Sequence, residues 1–289
     1  MSLLHVIILA VVQGLTELLP VSSSAHVVVA EKLLGMDPSA PEMTLLLVIL
    51  HTGTMFAVIV YFWNQWRTTY FRNAETLKKF SVLVILATTV TAVIGETLIK
   101  VIEKFGLRGE PHADVEQLFS RLELIAPALA IAGVLILGAG ILEKRLLSPD
   151  SENATGVNAK QAGLIGAVQA LCLPFRGFSR SGATISTGML AGMAKIDAES
   201  FSFALAVVLT PPAIARETFR LVKEGHISLR GSLDSTIVPI LAGAFCAFLA
   251  GLLALQWLGK WLEGGRWYWF GVYCLIAAAA VAALRHAGF

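Results

Sequence analysis

Residues 13–26 read Gln13-Gly14-Leu15-Thr16-Glu17-Leu18-Leu19-Pro20-Val21-Ser22-Ser23-Ser24-Ala25-His26, a polar run set inside the apolar stretch Leu3–Ala30. A bilayer crossing takes about 20 apolar residues, so the stretch is long enough to span, yet Pro20 and the serines break it midway. Non-helical backbone at membrane depth is tolerated only where protein buries it or a wet cavity receives it. The stretch is therefore expected to form two half-helices that enter and leave on one side. Pro174-Phe175-Arg176-Gly177-Phe178-Ser179-Arg180-Ser181-Gly182-Ala183-Thr184 breaks a second apolar stretch, Gln161–Ala194, in the same way.

The sequence around these runs is too apolar for a soluble surface. Of 289 residues 56% are hydrophobic and 15% charged, and the mean hydropathy is +0.74; the expected class is an all-α polytopic membrane protein. Six segments read as full spans: Met43–Trp63, Phe80–Val101, Leu122–Leu142, Phe201–Ala215 with its flank, Ile237–Leu258 and Tyr268–Leu284. A net charge of +2 with no block of like charges gives no reason to expect nucleic acid as a partner. Cys172, Cys246 and Cys274 lie in apolar surroundings without CxxC spacing and are expected to be small buried hydrophobes. The six tryptophans flank residues 64–79 and 259–267 and are expected to form an aromatic belt at one membrane face.

The two broken stretches resemble each other. Val12-Gln13 precedes a Leu-Pro and a serine cluster, as Val168-Gln169 precedes Leu173-Pro174 and Ser179-Arg180-Ser181, and Glu42 and Glu199 open the equivalent following spans. The expectation is a single membrane domain over residues 1–289 built as an inverted repeat, about 1–150 and about 160–289. Each copy holds one re-entrant helix pair plus three transmembrane helices, giving six full spans in total. Three crossings per copy turn the second copy upside down, so both broken loops can meet near the midplane from opposite sides.

Gln13 and Glu17 are four apart and share a helix face. A carboxylate there can position or deprotonate a nucleophile, or act as a packing group. Ser22, Ser23 and Ser24 sit where a second half-helix begins. One of them is explained as an N-cap; the others, with His26, offer a nucleophile and a proton shuttle. Arg176 and Arg180 are the only charges in Gln161–Ala194. A guanidinium presents a planar fork suited to phosphate, and Ser181-Gly182-Ala183-Thr184 reads as a helix N-terminus that favours an anion. Arg180 either pairs with Glu17 as structural glue or shares an anionic substrate or metal with it. His51 and Glu96 fall inside expected spans with no motif around them.

In these residues the chain resembles the undecaprenyl-pyrophosphate phosphatase family, also known as the bacitracin-resistance family. That family carries an (E/Q)xxxE motif running into a Ser-rich turn ending in His, matched by Gln13 to Glu17 and Ser22 to His26. It also carries a PGxSRSxxT motif, matched by Gly177 to Thr184. The resemblance implies an enzyme of the bacterial cytoplasmic membrane that removes the terminal phosphate of undecaprenyl pyrophosphate, with a site open to the outer face. The monophosphate product carries cell-wall glycan precursors. It implies a divalent cation, Mg²⁺ or Ca²⁺, at Glu17 and Gln13. Glu17, Ser23, His26 and Arg180 become the catalytic residues, and Ser179, Ser181 and Thr184 become substrate contacts. Gln13, Ser22, Ser24 and Arg176 join the candidate substrate contacts from their places in the two runs, with Arg176 either touching phosphate or reaching the interface. The enzyme's partners are then the isoprenoid pyrophosphate and membrane lipids, and a homodimer is compatible with both. Two departures stand out. Gln13 is not ionisable where a carboxylate is usual, and Pro174-Phe175-Arg176-Gly177 separates Pro from Gly and adds an arginine.

A lipid flippase or secondary transporter on the same scaffold is the alternative, since inverted repeats with broken helices recur in transporters. It predicts lipid movement without phosphate release. The other large class of membrane lipid phosphatases expects an SRxxxxxHxxxD string, and no His follows Ser179-Arg180 at that spacing.

Overall fold

The computed structural model describes residues 2–38, 40–106, 121–146, 156–223 and 233–286. Among the described residues every regular element is an α-helix: α1 (Leu3–Leu18), α2 (Ser23–Leu33), α3 (Pro41–Thr69), α4 (Ala74–Gly106), α5 (Leu122–Leu146), α6 (Ala159–Leu171), α7 (Arg180–Leu190), α8 (Lys195–Lys223), α9 (Leu233–Glu263) and α10 (Trp267–His286). Six of them are long and apolar enough to cross a membrane. The short helices fall in two pairs, α1 with α2 and α6 with α7, each at an expected chain break. α2 and α7 have 11 residues each, so each is about 16 Å long, half of a roughly 30 Å hydrocarbon layer. The order short, short, long, long, long thus occurs twice. The boundary expected between copies, near residues 150–160, lies partly outside the described residues.

The long helices run past the expected spans because apolar character fades at headgroup depth while helical hydrogen bonding does not. α8 differs most: Pro211 and Pro212 sit inside it and it continues to Lys223. Membrane helices tolerate proline where hydroxyl side chains and neighbouring helices serve the freed backbone groups, and Thr210 donates to the Ala206 carbonyl in that turn at 2.7 Å.

Lipid gives helices little hydrophobic reason to associate, so close backbone approach at small residues matters more. α1 packs on α9 at Gly14, where an added Cβ would lie 2.6 Å from Ala250 Cβ. α6 packs on α4 at Gly166, where it would lie 2.4 Å from the Ala87 carbonyl. Corresponding helices of the two halves therefore take reciprocal partners. Thr91 clamps the second contact by donating toward the carbonyls of Ala87 and Gly166, at 2.8 and 2.9 Å. It also accepts from Gln169 Nε2 at 3.1 Å.

The aromatic belt needs correction. Trp63, Trp257 and Trp269 are about half exposed, but Trp66 and Trp267 are buried. Their indole N–H groups donate to Ser200 and Ser186, both at 3.0 Å, and an indole given an internal acceptor has no need of the interface. Of the cysteines only Cys274 is fully buried; Cys172 and Cys246 are partly exposed, and all three are free thiols.

Candidate active site

The last turns of α1 place Gln13 and Glu17 one above the other, and the chain breaks immediately after. Ser22 turns the backbone through φ +67°, the only positive φ outside glycine among the described residues. That turn starts α2 at Ser23, folding its hydroxyl back over the end of α1. Ser23 Oγ donates to Glu17 Oε2 at 2.5 Å, and Gln13 Nε2 donates to the same oxygen at 3.2 Å. Ser22 takes the N-cap position of α2 but makes no side-chain capping bond; its hydroxyl lies 3.3 Å from that of Ser24.

The second break arrives from the other half of the chain. Ser179 caps α7 by accepting from the Gly182 N–H at 3.2 Å, and Arg180 is the first helical residue. Its Nη2 donates to Glu17 Oε1 at 3.0 Å. Two further bonds hold the loops together: the Gly177 N–H donates to Ser24 Oγ at 3.1 Å, and Ser181 Oγ donates to the Leu19 carbonyl at 3.2 Å. The expected meeting of the breaks is present, and Glu17 and Arg180 touch. Arg180 Nη1 is buried with no hydrogen-bond partner. A buried donor left unmatched costs about 1–3 kcal/mol, and this one stands beside a carboxylate already engaged.

Gly177 is what lets the second loop come so close. Its φ is +100°, and a Cβ there would lie 2.5 Å from the Ile125 carbonyl. Gly177→Ala is expected to lose about 2–3 kcal/mol through left-handed backbone strain and the clash with α5. Denaturation of the purified protein reads this directly; an unchanged midpoint would mean the loop accommodates the methyl group.

His51 on α3 joins the site although no motif marked it. Its Nδ1–H donates to the Leu47 carbonyl at 2.7 Å, which turns Nε2 toward Glu17 Oε2, 3.5 Å away. The signal in the sequence was an imidazole inside a span, where polar groups usually serve function. Glu96, the other such residue, is instead half exposed and 4.0 Å from Arg216. Glu17, His51, Arg180, Thr54 and Thr210 line one narrow cleft of about 10 Å³, room for a single water molecule.

The remaining candidates stand further back. His26 has Nδ1 2.8 Å from the Ser22 carbonyl and Nε2 2.7 Å from the Tyr273 hydroxyl, so both ring nitrogens are engaged away from Glu17. Thr184 is fully buried, donating to the Arg180 carbonyl and lying 2.6 Å from Ser202 Oγ; it braces the first turn of α7. Arg176 lies near the buried Glu31 at the far end of α2.

The donor set bears on a metal. Gln13 turns its amide nitrogen to Glu17, leaving its carbonyl oxygen outside that bond. Among the described residues no three His, Cys, Asp or Glu side chains gather into a metal cage. One carboxylate and one amide oxygen do fit a hard cation that takes most of its ligands from substrate phosphates, as Mg²⁺ commonly does.

Comparison with known proteins adds a family. The profile described as bacitracin resistance protein BacA matches residues 6–280. A protein of Acinetobacter baylyi named undecaprenyl-diphosphatase 2 is 54% identical over 287 residues, 98% of each chain. Proteins named undecaprenyl-diphosphatase from Rhodopirellula baltica and an Anaeromyxobacter species are 32% and 33% identical over 98% of this chain, and over 98% and 88% of their own lengths.

Proposed function

This chain belongs to the bacitracin resistance protein BacA family, and from that footing we propose that it hydrolyses undecaprenyl pyrophosphate to undecaprenyl phosphate and inorganic phosphate. It thereby recycles the lipid carrier of cell-wall synthesis, a role that fits the family's link to bacitracin resistance. The observation that carries the chemistry is the Ser23–Glu17–Arg180 contact, in which a hydroxyl, a carboxylate and a guanidinium meet between the two broken helices.

Phosphoryl transfer asks mainly for positioning and charge stabilisation. Glu17 Oε2 takes the proton of Ser23 as Oγ forms a bond to the terminal phosphorus, and the bond from that phosphorus to the bridging oxygen breaks. Undecaprenyl phosphate leaves on that oxygen. Water then hydrolyses the phosphoserine, Glu17 returns the proton to Ser23 Oγ, and inorganic phosphate departs. Arg180 offers Nη1 to a terminal phosphate oxygen while Nη2 keeps Glu17 in place. His51 steadies the other side of the carboxylate. Ser179 and Thr184 hold the first turn of α7 so that its N–H groups face the anion. Ser22, Ser24 and Ser181 set the loops, and His26, with Tyr273, forms the flank. Glu17 and the Gln13 carbonyl would hold the divalent cation, Mg²⁺ or Ca²⁺, which supplies charge neutralisation on the diphosphate.

An inverted pair of repeats in the bacterial cytoplasmic membrane, with the cleft open to the outer face, accommodates this reading. The reciprocal partnering of α1 with α9 and α6 with α4 supports such a pair. The test is phosphate release from a long-chain isoprenyl pyrophosphate by the purified protein, with Mg²⁺ or Ca²⁺ and again after chelation. One phosphate per lipid with the cation, and loss of turnover on chelation, is the expected result. Lipid translocation without phosphate release would replace this reading with the transporter.

A further inference from the structure

We propose that the cavity bounded by the C-terminal ends of α3 and α9 and the start of α8 is a second binding site, one that takes a primary ammonium group of the kind an aminophospholipid headgroup carries. The cavity measures about 490 Å³, within the size range of ligand pockets. It shares no lining residue with the cleft at Glu17. Tyr61 and Gln65 come from α3, Lys195 and Glu199 from α8, and Glu263 from α9.

Glu199 is the pointer. The residue is 4% exposed, and its Oε1 is buried without a hydrogen-bond partner. Taking a carboxyl out of water without compensation is costly, and folded proteins keep few such groups. Helix polarity does not account for it, because Asp197 already sits in the first turn of α8. Nor does the repeat: Glu42, which opens the equivalent helix of the first half, is exposed. Glu199 is buried where a cavity wall needs an acceptor.

The lining selects the ligand. Two carboxyl groups on facing helices, with the rings of Tyr61 and Phe62 in the same wall, offer the acceptors and aromatic surface that suit an ammonium group. A divalent cation held by the protein alone would want more hard oxygen ligands than two acids supply, and no third acid joins them among the described residues. Lys195, whose Nζ donates to the Leu262 carbonyl at 3.3 Å, adds a positive charge beside the acids. A zwitterionic headgroup thus meets a matching pair of charges. The half-exposed Trp63 and Trp257 are close in sequence to the lining residues on α3 and α9, and such residues favour headgroup depth.

The experiment is native mass spectrometry of the full chain in detergent, with dihexanoyl phosphatidylethanolamine and dihexanoyl phosphatidylglycerol at equal concentration. The parent protein should retain the ethanolamine lipid about tenfold better, the scale of one charge-assisted hydrogen bond. Glu199→Gln should bring the two lipids level while phosphate release persists. Glu263→Gln, at an exposed position, carries the same expectation should Glu199→Gln fail to fold. Equal retention of both lipids by the parent overturns the proposal, as does a preference that survives in a folded Glu199→Gln or Glu263→Gln. Competition by free ethanolamine at matching concentration would assign the site to soluble amines, and its absence would assign it to the lipid; ammonium chemistry stands in either case.

Discussion

Arg180→Ala should lower kcat/KM for phosphate release by about 10³–10⁵-fold, the range that a guanidinium contributes when it meets a transferring phosphoryl group. Two effects add. The variant loses the Nη1 donor, buried and unmatched in the free protein, which in the proposed reaction meets a phosphate oxygen. It also removes the only arginine contact to Glu17 shown among the described residues. Arg180→Lys should recover little, because a single ammonium cannot reach Glu17 and a phosphate together as a planar fork does. The comparison is made on purified protein whose thermal unfolding shows that it remains folded. Near-native turnover in Arg180→Ala would remove Arg180 from the site.

Glu17→Gln is the second large effect, expected at about 10²–10⁴-fold in kcat, the usual worth of a positioned general base. The substitution keeps the shape of the side chain and an acceptor for Ser23, so KM should move less than kcat if proton removal is what is lost. A larger change in KM would make Glu17 chiefly a substrate or cation ligand. Since Glu17 and Arg180 touch at 3.0 Å, the double variant should fall well short of the sum of the two losses, as contacting residues do. Additive losses would mean the two act independently, against the shared role assigned here.

The architecture was legible where it rests on costs that hydrocarbon imposes. Pro20 and the serines after it could not be left in lipid, so the half-helices followed, and the same reasoning at Pro174 gave the second pair. Arg180 meeting Glu17 followed too, since each is an ionic group in a stretch with little else to pair with. What escaped depends on rotamers and on neighbours distant in sequence. His51 is aimed at Glu17 by its bond to the Leu47 carbonyl, a detail that no spacing encodes. His26 follows the serines, but the partner of its Nε2 is Tyr273, 247 residues away, which no local spacing announces. Trp66 and Trp267 read as interfacial until Ser200 and Ser186 gave them internal acceptors. α8 runs past the expected Phe201–Ala215 at both ends, because Lys195 to Ser200 and Arg216 to Lys223 are too polar to count towards a span yet still continue the helix.

The bonds from Gly177 to Ser24 and from Ser181 to Leu19 have a bearing on assembly. Gln13 assists an acid, while Gln169, its counterpart in the later half, only braces Thr91, and Leu173 stands where the counterpart of Glu17 would be. Among the described residues, two unlike halves thus close one cleft within a single chain. On the proposed reaction, thinning the membrane population down to solitary molecules is expected to leave phosphate release per molecule unchanged.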